Sequence, residues 1–332
     1  MQYRTFGRMG WGVSEIGFGA WAIGGSWGEQ QDSDSIAALH RALDLGVTFI
    51  DTAQGYGDGR SERLIGRVLR ERGQRAGTGS VKVATKIPPV DGHWPPFPDD
   101  DQAERYPAQY LRQGVERSLR ALDAERLDLI QLHTWTRAWN SHPAALETLR
   151  ELQKEGKLDA IGISTPEQDQ NSLIGLMRQG WLDGVQVIYN IFEQEPAAEF
   201  LPVAQEHGVG VIVRVVFDEG ALTGKFTPDT TFAEDDFRHA YFKGDRLPLV
   251  VQKVEAVRAT VREVTGEAEP NLPSVALRFA LRHPAVSTVI PGIRTVAQAE
   301  ANCAVSDQPP LDERLYAALK EHNWRRAMWY GD

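Results

Sequence analysis

Residues 127–164 read Leu-Asp-Leu-Ile-Gln-Leu-His-Thr-Trp-Thr-Arg-Ala-Trp-Asn-Ser-His-Pro-Ala-Ala-Leu-Glu-Thr-Leu-Arg-Glu-Leu-Gln-Lys-Glu-Gly-Lys-Leu-Asp-Ala-Ile-Gly-Ile-Ser. Residues 127–132 and 160–163 are short runs, apolar over consecutive positions, the pattern of parallel strands covered on both faces. Between them, residues 143–155 space Leu146, Leu149 and Leu152 by three. This stretch opens on Pro143, where a missing N–H is harmless, and stops at Gly156, so it reads as one amphipathic helix. Strand, helix, strand is the repeating unit of a parallel sheet.

The unit recurs in both directions. Residues 16–19, 48–51, 81–85, 185–187, 209–213 and 287–290 complete a set of eight short buried strands. Helical patterns fill the gaps: residues 34–45 carry Ile36, Leu39 and Leu43, residues 60–72 carry Leu64, Ile65, Val68 and Leu69, and residues 107–122 carry Leu111, Val115, Leu119 and Leu122. Pro107 and Pro166 mark further helix starts, and Gly46 and Gly73 further stops. The alternation predicts a (β/α)8 TIM barrel, one domain over residues 1–332, rather than a doubly wound open sheet. Gly17, Gly19, Gly24 and Gly25 miss the G-x-G-x-x-G spacing of a dinucleotide-binding open sheet, and no helix opens on them.

Four parts exceed a plain barrel. An N-terminal segment precedes the first strand. Residues 88–106, after the third, hold Pro88, Pro89, Pro95, Pro96, Pro98 and the run Asp99-Asp100-Asp101, and read as a solvated loop. Residues 217–247, after the seventh, form a long irregular connection where such enzymes place ligand-covering segments. Residues 311–330 read as a closing C-terminal helix ending in Trp324, Trp329 and Tyr330.

Composition narrows the function. Of 332 residues, 42% are hydrophobic and 25% charged, and 36 Lys+Arg against 46 Asp+Glu leave a net charge of −10. A net negative chain is a poor candidate for nucleic acid or an anionic membrane surface. The single Cys303 rules out an intramolecular disulfide and a cysteine-based zinc site, and fits a reducing compartment. The first ten residues lack the apolar stretch of a secretory signal, and no run is long enough to span a bilayer, so the expected location is cytoplasmic.

Barrel chemistry sits at the carboxyl ends of the strands. Asp51 ends the second strand with Tyr56 in the turn behind it, Lys86 ends the third, and His133 ends the fourth. A tyrosine is a weak acid at neutral pH, with an ordinary pKa of about 10. An ammonium beside it favours the phenolate and lowers that value, and Asp51 would hold Lys86 charged and in place. His133 would polarise a carbonyl against Tyr56. This set protonates an oxygen while hydride arrives from elsewhere, and hydride from a nicotinamide is its natural partner. No Ser/His/Asp set, metal-ligand cluster or P-loop competes.

The stretch Asp51-Thr52-Ala53-Gln54-Gly55-Tyr56-Gly57-Asp58-Gly59-Arg60-Ser61-Glu62 resembles the signature of the aldo-keto reductase superfamily. The resemblance continues through Gly17-Phe18-Gly19-Ala20-Trp21, Thr85-Lys86, Leu132-His133, Ile161-Gly162-Ile163-Ser164, Gln186, Tyr189-Asn190, Gly224-Lys225 and Ile290-Pro291-Gly292-Ile293-Arg294. It implies NAD(P)H-dependent reduction of an aldehyde or ketone, with Asp51, Tyr56, Lys86 and His133 as the catalytic tetrad and Tyr56 as general acid. It also implies that Ser164 and Gln186 hold the nicotinamide carboxamide, and that Arg294, Gln298 and Asn302 hold the adenosine end. Further implied cofactor contacts are Gly19, Ala20, Trp21, Asp51, Thr165, Arg214, Val215, Phe217, Gly220, Lys225, Pro291 and Gly292. Arg294, directly before Thr295 as the cap of a helix over residues 296–304, offers a cation and amides to a 2′-phosphate, which favours NADP over NAD.

The chain departs from the family pattern at four places. Thr165 replaces a common Asn, Gln54 a common Asp, and Val215-Val216-Phe217 a common Ser-Pro-Leu. Arg214 stands where many members stack an aromatic ring on the nicotinamide; a guanidinium plane stacks too, but brings positive charge. The substrate is a small carbonyl or sugar-like molecule, with Trp21, Trp27, Tyr56, His133 and Trp135 as its expected contacts. Trp139 adds a further rim aromatic, and Arg137 a reader for a carboxylate or phosphate. Competing readings are an NAD(P)-dependent sugar or alcohol dehydrogenase and a cofactor-sensing regulatory subunit. The sequence leaves the oligomeric state open.

Overall fold

The computed structural model describes residues 1–25, 27–91, 93–326 and 329. The chain opens with an antiparallel hairpin of β1 (Tyr3–Phe6) and β2 (Trp11–Ser14) that the strand pattern did not disclose. The barrel follows as β3 (Phe18–Gly19), β4 (Phe49–Asp51), β5 (Lys82–Ile87), β6 (Leu127–Leu132), β7 (Leu158–Ser164), β8 (Gly184–Ile188), β9 (Gly210–Arg214) and β10 (Val286–Val289). Each strand pairs in parallel with the next. Bridges from Ile16 to Val289 and from Gly19 to Gly292 bring the two edges together, so the sheet closes into a (β/α)8 barrel. These are the eight expected strands, each displaced by no more than two residues at either end.

The outer ring holds α1 (Asp32–Asp44), α2 (Arg60–Glu71), α3 (Gln102–Arg105), α4 (Ala108–Leu122), α5 (Ala144–Lys154), α6 (Ile174–Arg178), α7 (Phe200–Glu206), α8 (Phe237–Tyr241), α9 (Arg246–Thr265), α10 (Leu272–Leu281), α11 (Val296–Cys303) and α12 (Glu313–Lys320). Gly46, Gly73 and Gly156 follow helix ends with φ of 91°, 66° and 78°, conformations that glycine takes without steric cost. Pro166 does not begin a helix. It opens a turn-rich stretch, and only residues 174–178 become helical. The expected C-terminal helix is likewise shorter: α12 ends at Lys320, and Trp324 and Trp329 lie in a non-helical tail. Tyr330 lies outside the described residues.

The core has two layers. Between sheet and helices runs one continuous apolar shell. Inside the barrel, Phe49, Ala84, Leu129, Ala160, Ile212 and Ile290 are closed from below by Phe6 and Val13 of the hairpin. Phe6 stacks on Phe49 and Trp11 with centroids 5.7 and 5.6 Å apart. Its ring lies so close to β9 that a Cβ at Gly210 would come within 2.4 Å of it. The hairpin is therefore the barrel's bottom plug, and the opposite rim is left for chemistry. Truncating a fully buried aromatic leaves a cavity that a closed barrel cannot collapse, so Phe6→Ala should cost about 3–5 kcal/mol, read as a lower urea midpoint.

Candidate active site

Strand register builds the site. Gly19 is opposite Asp51, Lys86 opposite Gln131, and Ser164 opposite Gln186, so side chains from five strands, β4 to β8, gather toward the carboxyl rim. Lys86 is 0% exposed. Its Nζ donates to Asp51 Oδ2 at 2.5 Å, to the Thr52 carbonyl at 2.8 Å, and to Tyr56 Oη at 3.2 Å. A buried ammonium needs such partners, because desolvation alone disfavours its charged form. The other oxygen of Asp51 accepts from Gln186 Nε2 at 2.7 Å and Gln131 Nε2 at 3.2 Å.

Tyr56 is half-buried in the turn after β4. A Cβ at Gly57, where φ is 64°, would lie 2.1 Å from the Gly24 carbonyl oxygen, so glycine lets the loops after β3 and β4 touch. The Trp21 ring then stacks near Tyr56, at 6.2 Å and 27°. Burial pushes the Tyr56 phenol up from its ordinary value, and Lys86 opposes that rise without cancelling it. The expectation of a lowered phenol is thus corrected: desolvation outweighs the neighbouring ammonium, and Tyr56 keeps its proton at neutral pH. For Lys86, burial acts against the charge, yet Asp51 and Tyr56 outweigh it and the ammonium is held above its usual range.

The His133 ring stands edge-on to Tyr56, with centroids 5.8 Å apart. Burial, reinforced by Lys86 and then Arg214, holds its imidazole well below the ordinary histidine value, so it is neutral at pH 7. Trp94, 37% exposed, packs edge-on against His133 at 4.9 Å. The Pro-rich loop after β5 is therefore not merely solvated, and Trp94 is a rim residue that sequence reasoning missed. Across the mouth, Phe237 from the long loop after β9 lies 4.9 Å from Trp21, with Trp27 beside both.

Other expected contacts fall elsewhere. Trp135 is 0% exposed and its indole donates to Asn140, so it packs beneath the rim. Trp139, also buried, donates to the Asp100 carbonyl. Arg137 grips Asp169 through two hydrogen bonds and is not turned to a ligand. Gln54 is buried against Gly114 and Ser118. Lys225 is exposed.

Of the residues expected to hold a dinucleotide, Ser164, Gln186 and Arg214 stand on β7, β8 and β9 toward the carboxyl rim. Ser164 ends β7 and pairs with Gln186 in the middle of β8, and both are buried. Thr165 Oγ1 donates to Gln170. Arg214 ends β9 and donates to Glu167 at 2.8 Å and to the Thr165 carbonyl at 3.0 Å. Glu167, which the sequence did not single out, thereby neutralises the unusual cation. Beyond it, Val215, Asp218, Glu219 and Gly220 all have positive φ, from 50° to 95°. Arg294 does not pair with Glu300 or Asp307, which bind Arg41 and the N-terminus. It donates instead to Gln30 and to the carbonyls of Trp27 and Glu29, and its own N–H is capped by Gln298. Thr295 caps α11 by accepting from the Gln298 N–H. Ala20 donates its backbone N–H to the Asp51 carbonyl, the Pro291 carbonyl accepts from the Gly19 N–H, Gly292 bridges Gly19, and Asn302 is buried near the C-terminal end of α11.

Fold and rim together define a (β/α)8-barrel enzyme. The aldo/keto reductase family model matches residues 15–323, and the chain belongs to that family. It is 32% identical to aldo-keto reductase YhdN of Bacillus subtilis (strain 168) over 305 residues, covering 91% of this chain and 87% of that one. A glycerol dehydrogenase from Gluconobacter oxydans superposes with a TM-score of 0.76 at 26% identity, over 97% of this chain and 94% of that one. A Bacillus halodurans aldo-keto reductase in its holo form shares the fold, with a TM-score of 0.76 at 23% identity over 100% and 99% of the two chains. The protein is accordingly an oxidoreductase of carbonyl and alcohol groups that uses a nicotinamide cofactor. No helix among the described residues is long and apolar enough to cross a membrane.

The depressed His133 has a measurable consequence. Its folded pKa lies below its unfolded value of about 6.5, so the unfolded chain binds the proton more readily. The associated stability is complete above that value and is lost as pH falls beneath it. Between pH 7 and pH 5, wild type should lose more unfolding free energy in urea than His133→Gln does.

Proposed function

We propose that the protein reduces an aldehyde or ketone with NADPH, and that Tyr56 gives the proton. The observation that carries this reading is the buried Lys86 ammonium, paired to Asp51 and 3.2 Å from the Tyr56 hydroxyl. A bound nicotinamide supplies hydride to the carbonyl carbon. As the oxygen gains charge, Tyr56 Oη–H is the donor within reach, and the phenolate that forms rests on the Lys86 ammonium. Lys86 thus acts on the product side of the transfer, where charge has moved onto Tyr56. Asp51 keeps the ammonium charged and oriented, and Gln131 and Gln186 satisfy its second oxygen. A neutral His133 can hydrogen-bond the carbonyl without competing as the proton source.

The donor set suits the cofactor. A carboxamide offers one acceptor and one NH2 group, and Ser164 with the Gln186 amide oxygen offers a hydroxyl and an acceptor at paired positions of adjacent strands. Arg214, held by Glu167, presents a guanidinium at the expected ring position with little net charge to oppose an oxidised nicotinamide. Arg294 next to the capped N-terminus of α11 favours a 2′-phosphate, and hence NADP. The likeness to a glycerol dehydrogenase keeps the reverse reaction, oxidation of an alcohol, as the second reading.

The test is single-turnover oxidation of NADPH by 4-nitrobenzaldehyde. Tyr56→Phe should bind NADPH as wild type does and transfer hydride about 100- to 10,000-fold more slowly, with NADPH preferred to NADH in both proteins. Full activity in the variant would remove Tyr56 from the proton-donor role.

A further inference from the structure

Beyond α12, residues 323–326 and 329 pack against the loops that follow β8 and β9. The Trp324 N–H donates to the Phe192 carbonyl at 2.8 Å, and Asn323 Oδ1 accepts from the Gln194 N–H at 3.3 Å, which fastens the tail to the loop after β8. Trp329 packs 5.4 Å from Tyr241 and accepts from Arg246 through its carbonyl at 3.2 Å, which fastens it to the segment after β9. Between these anchors, the Arg326 guanidinium lies over the Trp324 and Trp329 rings at 5.1 and 4.7 Å. It forms a two-pronged ion pair with Asp218, one prong being Nη1 to Oδ2 at 2.9 Å.

Asp218 is 0% exposed and stands in the middle of a loop of unusual conformation. Val215 has φ of 55°, a left-handed value that a β-branched residue adopts only when its surroundings impose it. Asp218, Glu219 and Gly220 follow at 50°, 54° and 95°. Asn190 Nδ2 holds the Val215 carbonyl at 2.8 Å, which secures the start of the loop. Its middle is secured by Arg326, a residue more than a hundred positions further along the chain. A buried ion pair contributes little to overall stability, because desolvation offsets its attraction; its usual value lies in fixing one geometry.

We propose that Arg326 and Asp218 are positioning residues for the dinucleotide: the C-terminal tail clamps the 215–220 loop in the strained shape that receives the cofactor. The proposal rests on the reading of this loop as cofactor-binding. A loop held in its bound shape before binding loses less freedom when the ligand arrives, so the clamp raises affinity and slows release without touching the substrate. Its loss acts on the cofactor alone, and a general loss of folding would not show that split.

The experiment measures NADPH affinity by quenching of tryptophan fluorescence, and release by stopped-flow displacement, in the full-length protein. Asp218→Asn removes the charge with a residue that tolerates left-handed backbone, Arg326→Gln removes the other partner, and Arg326→Lys restores the charge alone. We expect Kd and the release rate for NADPH to rise at least tenfold in the first two and to recover partly in the third. The aldehyde KM at saturating NADPH should stay within twofold of wild type. Folded variants with wild-type Kd and release rate would overturn the clamp and leave the cofactor reading standing, as would a loss confined to kcat. Wild-type protein without affinity for either dinucleotide would overturn both.

Discussion

The ammonium of Lys86 is fully buried. It stays charged because Asp51, the Thr52 carbonyl and the Tyr56 hydroxyl surround it. That requirement organises the rim. Asp51 must end β4 beside it, Gln131 and Gln186 must satisfy the far oxygen of Asp51, and the turn after β4 must return the phenol to within hydrogen-bonding distance. Removing any of these partners leaves a buried polar group exposed to its full desolvation cost. The chemistry and the local stability of the rim therefore depend on the same contacts.

The barrel supplies what this constellation needs, which is side chains from different strands brought to one level. Four neighbouring or near-neighbouring parallel strands bring Lys86, Gln131 and Gln186 within hydrogen-bonding distance of Asp51, and the hairpin plug around Phe6 fills the opposite end with apolar packing. Behind Lys86, the buried Glu62 accepts from Thr85 and Ser118 at 2.6 Å each, and burial pushes its carboxyl up. This second polar knot ties α2 and α4 to β5 and stiffens the strand that carries the lysine.

Much of this was legible in the sequence for a simple reason. Parallel strands covered on both faces are apolar throughout, so the eight runs stand out, and a polar residue ending such a run is conspicuous. Asp51, Lys86 and His133 were found that way. What was not legible lay where no period applies. Trp94 sits in a Pro-rich loop whose path no local rule dictates. Glu167 reveals its purpose only when the fold brings it to Arg214, and the plug depends on glycines that look like ordinary turn residues. The direction of the Tyr56 shift is not legible, because an ammonium neighbour can be read from sequence and the depth of burial cannot. The apolar periodicity of residues 311–330 suggested one helix, yet those side chains serve a tail that packs by its tryptophans.

The proposed reaction depends on Lys86 stabilising the negative charge that stays on Tyr56 when its proton leaves. The direct measurement is the hydride-transfer rate in a single turnover at pH 7 with saturating NADPH, comparing wild type with Lys86→Met, a side chain of similar length and no charge. A drop of about 100-fold or more with NADPH affinity preserved is the predicted result. A rate within a few-fold of wild type would contradict it.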